Sequence, residues 1–311
     1  MSLRDLGRVG FIGAGRLGQT LAVAWAQAGS PTSMVCSRSR SSAEALAQRL
    51  SHWQQAPAVA DSPQAVVDAS DTVFITVPDD QIGAVAASLS WRAGQVAVHC
   101  SGATELTALA QAQAAGAHAA GFHPLHTFGD VDTALAGLPG CSVAIEAADA
   151  VLHAALKERA VMLGAHPFTL PPGCRALYHA SAHYAGSLVV SLMDEAVRHW
   201  GRFGVAPPQA LAALLPLLGS TLRAMESRGL GPGMAGVVAR GDVGSLRHHL
   251  QALSAVGEPE ARLYADLSRL SVRLALDSGR LTAAQAHELM QALEGHGRLG
   301  STAGAPPPRT L

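Results

Sequence analysis

Lysine is almost absent from this chain: of its 311 residues only Lys157 is one, and it lies in the stretch Ala147 to Leu163, patterned as an ordinary surface helix. Catalysis through a lysine amine is therefore not expected. Cysteine is also sparse. Cys36, Cys100, Cys141 and Cys174 lie far apart and form no C-x-x-C, which excludes a zinc knuckle or a redox pair and leaves reduced, mostly buried thiols. Charged residues make up only 14% with a net charge of -1, and the short Ser-Arg run is the one basic cluster, so no nucleic-acid surface is expected. The hydrophobic share of 49% is largely alanine, and no apolar run reaches the roughly 18 to 20 residues of a membrane span. Met1 to Leu6 carries an acid and leads directly into an apolar strand, leaving no room for a secretory signal, so a cytoplasmic location is expected. Small polar molecules are the remaining class of partner.

What is present begins within twenty residues of the start. Val9-Gly10-Phe11-Ile12 is an apolar strand that runs into Gly13-Ala14-Gly15-Arg16-Leu17-Gly18, a G-x-G-x-x-G segment. In such a loop the first glycine makes a tight turn, the second lets backbone approach a pyrophosphate, and the third lets the following helix pack on the sheet. The helix N-terminus then meets the anion. Gln19 to Ala28 has the apolar stripe of that helix, and Gly29-Ser30-Pro31 stops it. Gly13 to Gly18 are thus the expected dinucleotide cradle.

The second strand, Thr32 to Cys36, should end beside the adenosine ribose, where NAD-binding chains usually carry an acid. Here the residues are Ser37-Arg38-Ser39-Arg40-Ser41-Ser42. Hydroxyls and guanidiniums suit a 2′-phosphate, so Ser37 and Arg38 point to NADP(H). A helix N-cap at Ser41 or Ser42 is the plainer use of this segment and is compatible with phosphate binding.

Strands and helices alternate up to His166 to Leu170, with further strands at Thr72 to Val77, Gln95 to His99, His118 to Phe122 and Cys141 to Ile145. This pattern predicts an α/β fold, a doubly wound parallel sheet over residues 1–170. Pro171-Pro172-Gly173 marks a boundary, after which an all-helical domain is expected over residues 171–294, with helices near 174–202, 208–227, 243–255, 259–275 and 282–293. Leu188 to Met193 is apolar around most of a helix, which predicts deep burial and a homodimer. Residues 295–311 read as a disordered tail.

Ligands of such a sheet lie beyond the carboxyl ends of its strands. Three loops qualify. Val77-Pro78-Asp79 suits a passage under the cofactor ribose, Asp79 serving equally as a helix cap. Ser101, in His99-Cys100-Ser101-Gly102-Ala103, suits the nicotinamide end. His123, in Gly121-Phe122-His123-Pro124-Leu125-His126-Thr127-Phe128, is a candidate acid. Further on, His179, His183 and Ser187 recur at i, i+4 and i+8. Such a stripe suits hydrogen-bonded core groups or a substrate face; a metal site is disfavoured because no carboxylate ligand accompanies the histidines. Arg240 and Asp242 lie in a glycine-bounded segment, where Arg240 either clamps a substrate carboxylate or forms a local salt bridge.

Together GAGRLG, TVPDD (76–80), HCSGA (99–103), GFHPLHTF (121–128), LYHASAHYAGSL (177–188) and ARGDVGSLRHHL (239–250) resemble a family of Rossmann-type proteins with a helical C-terminal domain of unknown function. That family is related to pyrroline-5-carboxylate reductase and includes alternative ketopantoate reductases. The resemblance implies a dimeric NADP(H)-linked oxidoreductase with its site between the domains. The expected reaction is hydride transfer to C=O or C=N of a small carboxylated substrate, ketopantoate-like 2-oxo acids first and cyclic imines second. His183 or His123 would supply the proton, Ser101 and Ser187 would orient the reacting group, and Arg240 would hold the carboxylate. Related β-hydroxyacid dehydrogenases carry a catalytic Lys with Asn four residues later on the first interdomain helix. This chain has neither there, which keeps open a non-catalytic NADP(H) sensor as the alternative.

Overall fold

A computed structural model describes Leu3 and residues 5–294. The tail expected over residues 295–311 lies outside the described residues. The chain divides into two compact units, Met1–Ser191 and Leu192–Leu311.

The first unit runs β1 (Val9–Ile12), α1 (Arg16–Gln27), β2 (Thr32–Cys36), α2 (Arg40–Leu50), β3 (Ala58–Val59), α3 (Pro63–Ala69), β4 (Thr72–Ile75), α4 (Asp79–Ala87) and β5 (Val96–His99). A 3-10 turn at Leu106–Leu109 follows, then α5 (Ala110–Ala114), β6 (His118–Leu125), α6 (Val131–Gly137), β7 (Ser142–Ala147), α7 (Ala150–Met162), β8 (His166–Thr169) and α8 (Arg175–Ala185). The eight strands form one sheet in the order β3-β2-β1-β4-β5-β6-β7-β8. Strand order reverses between β1 and β4, which opens the crevice where doubly wound sheets bind ligands.

The sheet is not wholly parallel as expected, because β6 and β7 pair antiparallel, Leu125 opposite Ser142 and Gly121 opposite Glu146. The connection explains it. A seven-residue α6 spans about 10 Å, far less than the roughly 26 Å of an eight-residue strand. The chain does not return to the start of β6, so β7 departs from its far end. β5 ends at His99, opposite Gly121, so Phe122 to Leu125 overhang β5 with only β7 beside them.

Four of the chain's thirteen aromatics gather against this sheet. Trp25 of α1 lies 4.8 Å from Phe74 and 5.5 Å from Phe122, and Phe11 stacks on Phe74 at 5.4 Å between ring centroids. Trp25 also donates its indole N–H to the carbonyl of Arg159 on α7 at 3.0 Å. One side chain therefore ties two helices to three strands. Each aromatic pair contributes about 0.5–1.5 kcal/mol beyond its area. Short helices are set by their first residues: Ser62 caps α3, with Pro63 at its start, and Asp130 caps α6. The α2 cap is Ser39, not Ser41 or Ser42 as expected.

Beyond β8 every regular element among the described residues is helical, as expected. The helix expected over 174–202 is broken at Gly186 (φ -105°, ψ -103°) into α8 and α9 (Ser187–Gly201). The division between the compact units falls within α9. The second unit continues with α10 (Pro207–Arg228), α11 (Leu230–Gly233), a 3-10 turn at Val238–Arg240, α12 (Val243–Val256), α13 (Glu258–Asp277) and α14 (Ala283–Leu293). Leu246, Leu250, Val272, Leu289 and Leu293 fill its core. The burial expected of Leu188 to Met193 is not met within the chain. No residue of α9 is fully buried, and Val190 is 70% exposed, although Leu188, Val189 and Met193 are half-buried.

Candidate active site

The cradle at the end of β1 follows from local sterics. Gly13 has φ +112°, donates its N–H to the Cys36 carbonyl, and accepts from Thr76 Oγ1 at 2.8 Å. A methyl group on Gly13 would lie 2.7 Å from the Thr76 carbonyl, and one on Gly18 would lie 2.6 Å from the Gly13 carbonyl oxygen. Those two glycines are required by the protein's own packing. Gly15 differs, since a methyl group there would meet nothing within 4 Å. Gly15 is also the cap residue of α1, with no side-chain hydrogen bond to the first turn. The N–H groups around Arg16, Leu17 and Gly18 thus face an open approach, with Ala14 buried beneath. This is the geometry an anion requires.

At the end of β2, Ser37 is half-buried and Arg38 exposed with no hydrogen-bond or ion-pair partner among the described residues. Arg40, two residues on, is committed to Asp61 and Glu44. Only one of the two guanidiniums is therefore available. Beyond β4, Val77 is half-buried, Pro78 is the cap residue of α4, and Asp79 is exposed in its first turn with no capping bond from either side chain.

A second group of polar side chains gathers past β5 and β6. Arg175, the first residue of α8, is fully buried; its Nε donates to Glu146 Oε2 at 2.6 Å and its Nη1 to the Ser101 carbonyl at 2.7 Å. Its Nη2 has no partner and rests on Gly121, where any Cβ would collide with the guanidinium. His99 pairs in register with Gly121 on the neighbouring strand. Ser101 N–H donates to His99 Nδ1 at 3.3 Å, which leaves the proton of the neutral ring on a buried, unpartnered Nε2. Ser101 Oγ accepts from the N–H groups of Ala103 and Thr104, so its hydroxyl shapes the turn.

His123 stands on the overhang of β6. Its Nδ1 lies 2.7 Å from Tyr178 Oη, its ring meets His179 edge-on at 5.9 Å, and a methyl group on Gly102 would come within 2.8 Å of its Cε1 and Nε2. Arg175, Tyr178 and His179, at i, i+3 and i+4, form the face of α8 that meets the sheet. The expected stripe of His179, His183 and Ser187 is not continuous: the break at Gly186 puts Ser187 on a new helix. His183 and Ser187 are both exposed. Arg240 belongs to the second unit, exposed and without an ion-pair partner among the described residues. Asp242 instead caps α12 through Ser245, which holds its carboxyl below the ordinary value.

Burial pushes His99 from 6.5 down to about 3 and His123 down to about 4, with Arg175 adding to both. Both rings are therefore neutral near pH 7. The unfolded chain binds protons on these rings below pH 6.5 that the folded chain refuses until much lower pH. Their contribution to stability is complete above pH 6.5 and falls as pH drops toward 4, on the order of 1 kcal/mol per pH unit for each ring. Urea unfolding at pH 7 and pH 5 is expected to follow that slope, and His99→Gln is expected to reduce it. An equal slope in the variant would remove His99 from the account.

Sequence reading missed Arg175, Glu146 and Tyr178 as site residues. An acid inside the apolar strand Ser-Val-Ala-Ile-Glu-Ala was the available signal for Glu146, since a buried carboxylate needs a cation.

The fold and cradle define a dinucleotide-binding Rossmann protein. Residues 8–102 match the family model described as NADP oxidoreductase coenzyme F420-dependent, and residues 141–271 match that of a domain of unknown function, DUF2520. The chain thus joins an NADP-binding oxidoreductase segment to a DUF2520 segment. No curated protein matches it. Among solved structures it is similar to protein TM1727 from Thermotoga maritima, at 21% identity and TM-score 0.70, covering 87% of this chain and 99% of that one. It is similar also to the putative NADP oxidoreductase BF3122 from Bacteroides fragilis, at 21% identity and TM-score 0.66, covering 85% and 97%. A third is 1-pyrroline-5-carboxylate reductase from Streptococcus pyogenes, at 16% identity and TM-score 0.56, covering 93% and 99%. At these identities the likeness is one of fold. No helix among the described residues is long and apolar enough to cross a membrane.

Proposed function

We propose that the protein uses NADPH to reduce the C=N bond of a small carboxylated imine, with His123 as the hydrogen-bond donor to the reacting nitrogen. The observation that carries this reading is the neutral His123 ring beside Gly102, on the part of β6 that extends past the end of β5 and on the same sheet edge as the glycine cradle. Gly13 to Gly18 would hold the pyrophosphate, Ser37 and Arg38 the 2′-phosphate, Val77 to Asp79 the ribose, and Ser101 the nicotinamide end. Bound there, NADPH would supply a hydride to the carbon of the neutral imine. The His123 N–H would hydrogen-bond the lone pair of the imine nitrogen, which takes a proton from solvent as the hydride arrives, so that C=N becomes C–H and N–H.

The pyrroline-carboxylate reductase among the relatives supports a cyclic imine acid. A second reading, reduction of a ketopantoate-like 2-oxo acid, is favoured by the donor itself, because a carbonyl oxygen always offers a lone pair to a neutral N–H. His183 and Ser187 are candidates for lining the substrate. A homodimer would cover the exposed Leu215, Leu217 and Leu222 of α10.

The deciding experiment is NADPH oxidation across cyclic imine acids and 2-oxo acids. Turnover of imines supports the first reading and turnover of oxo acids alone the second. Tight NADPH binding without turnover on either set would favour a sensor. Arg38→Ala is expected to weaken NADPH binding by roughly tenfold to hundredfold, the value of charge-assisted hydrogen bonds, with NADH binding unchanged. Equal losses for both nucleotides would take Arg38 out of 2′-phosphate recognition.

A further inference from the structure

We propose that Tyr178 is the positioning residue of this site: its O–H donates to His123 Nδ1, fixing the ring as the Nε2–H tautomer with that N–H presented beside Gly102. The inference rests on the reading of His123 as the donor to substrate.

Three features of the geometry carry it. The His123 ring is held between two different surfaces. Tyr178 Oη lies 2.7 Å from Nδ1 on one side, and the backbone of Gly102 faces Cε1 and Nε2 on the other. Gly102 follows β5, toward the cofactor end of the sheet, whereas the Tyr178 ring packs edge-on against Phe168 of β8 at 5.9 Å. The tyrosine therefore stands behind the histidine and reaches the site only through it.

The direction of the hydrogen bond follows from the acidities of the two groups. A phenol O–H is a stronger donor than a neutral imidazole N–H, and an imidazole nitrogen is a stronger acceptor than a phenol oxygen. Burial keeps both partners neutral, raising Tyr178 to about 12 and lowering His123 to about 4. The charged and titratable neighbours of the ring besides Tyr178 are His99, Arg175 and His179; none of them hydrogen-bonds Nε2, and the one group within reach of Nδ1 is the Tyr178 hydroxyl, the weaker acceptor of the pair. Without the tyrosine hydroxyl, an isolated imidazole divides its proton between both nitrogens, and only one of them faces Gly102.

Position on α8 supports the same role. Arg175 anchors the helix start through Glu146 and the Ser101 carbonyl. Tyr178 is three residues on, one turn along the same face. The buried ion pair thus sets the height at which the phenol meets the ring.

The test is Tyr178→Phe, which retains the ring and its packing on Phe168. Nitrogen-15 NMR of histidine-labelled protein at pH 7 is expected to find His123 protonated at Nε2 and unprotonated at Nδ1. In the variant the two nitrogens are expected to share the proton. With a substrate found by the panel above, kcat is expected to fall about tenfold, while KM and NADPH affinity stay within about twofold. A wild-type ring protonated at Nδ1 would overturn the proposal. So would a variant with an unchanged tautomer, whatever its kcat. The NMR arm needs no turnover, so a protein inactive on every substrate would count against the proposed reaction while the tautomer lock is still decided.

Discussion

Replacing Gly121 by alanine is expected to lower stability by about 3–5 kcal/mol, the cost of breaking a buried ion pair by displacing one partner. The added methyl group would fall on the Arg175 guanidinium, which has no room to yield. Arg175 is fully buried, and two of its nitrogens are committed to Glu146 and to the Ser101 carbonyl. A shift of the guanidinium strands Glu146, itself only 7% exposed, without its cation. Gly129→Ala is the control, because a methyl group there meets nothing within 4 Å and its φ is not positive. Urea unfolding at pH 7 measures both. A loss below about 1 kcal/mol for Gly121→Ala would mean that the ion pair relaxes without cost.

His123→Ala is expected to reduce kcat on the order of a hundredfold, within the range for a positioned proton-handling group, with NADPH affinity unchanged. The ring is the one imidazole that meets Gly102, His179 and Tyr178 together, and the cofactor cradle rests on β1, β2 and β4. His123→Gln, whose amide N–H falls near the position of Nε2, is expected to recover part of the loss. His123→Asn, which mimics Nδ1 instead, is expected to recover none. Full turnover in His123→Ala would end the assignment of the donor.

The parts of the molecule legible in the sequence are those governed by neighbours along the chain. Gly13 and Gly18 could be assigned roles because a tight turn and a close helix-to-strand packing act within a few residues. The absence of an acid after Cys36 was likewise a local fact. The first turn of α3 was marked by Ser62-Pro63, although the helix itself was not expected. The Arg175–Glu146 pair was not legible, since the two residues lie 29 apart and meet only because β7 reverses beside β6. That reversal depends on the shortness of α6, which no periodicity displays. The stripe of His179, His183 and Ser187 misled for a similar reason. Equal spacing was taken as one continuous helix, and Gly186 breaks it.

The overhang of β6 separates two mechanical jobs. The cradle glycines, Arg38 and the Val77 loop hang from strands hydrogen-bonded within the parallel part of the sheet, where any displacement disturbs several neighbours. His123 instead lies where β6 has outrun β5, so its strand is hydrogen-bonded on one side only, to β7; the residue directly across is Ala144, which pairs in turn with Phe168 of β8. Over Phe122 to Leu125 β6 is thus an edge strand, and an edge is freer to twist than a strand held on both sides. Substitutions on the free side of that edge are expected to move the donor while the strands that carry the cofactor cradle keep both their neighbours.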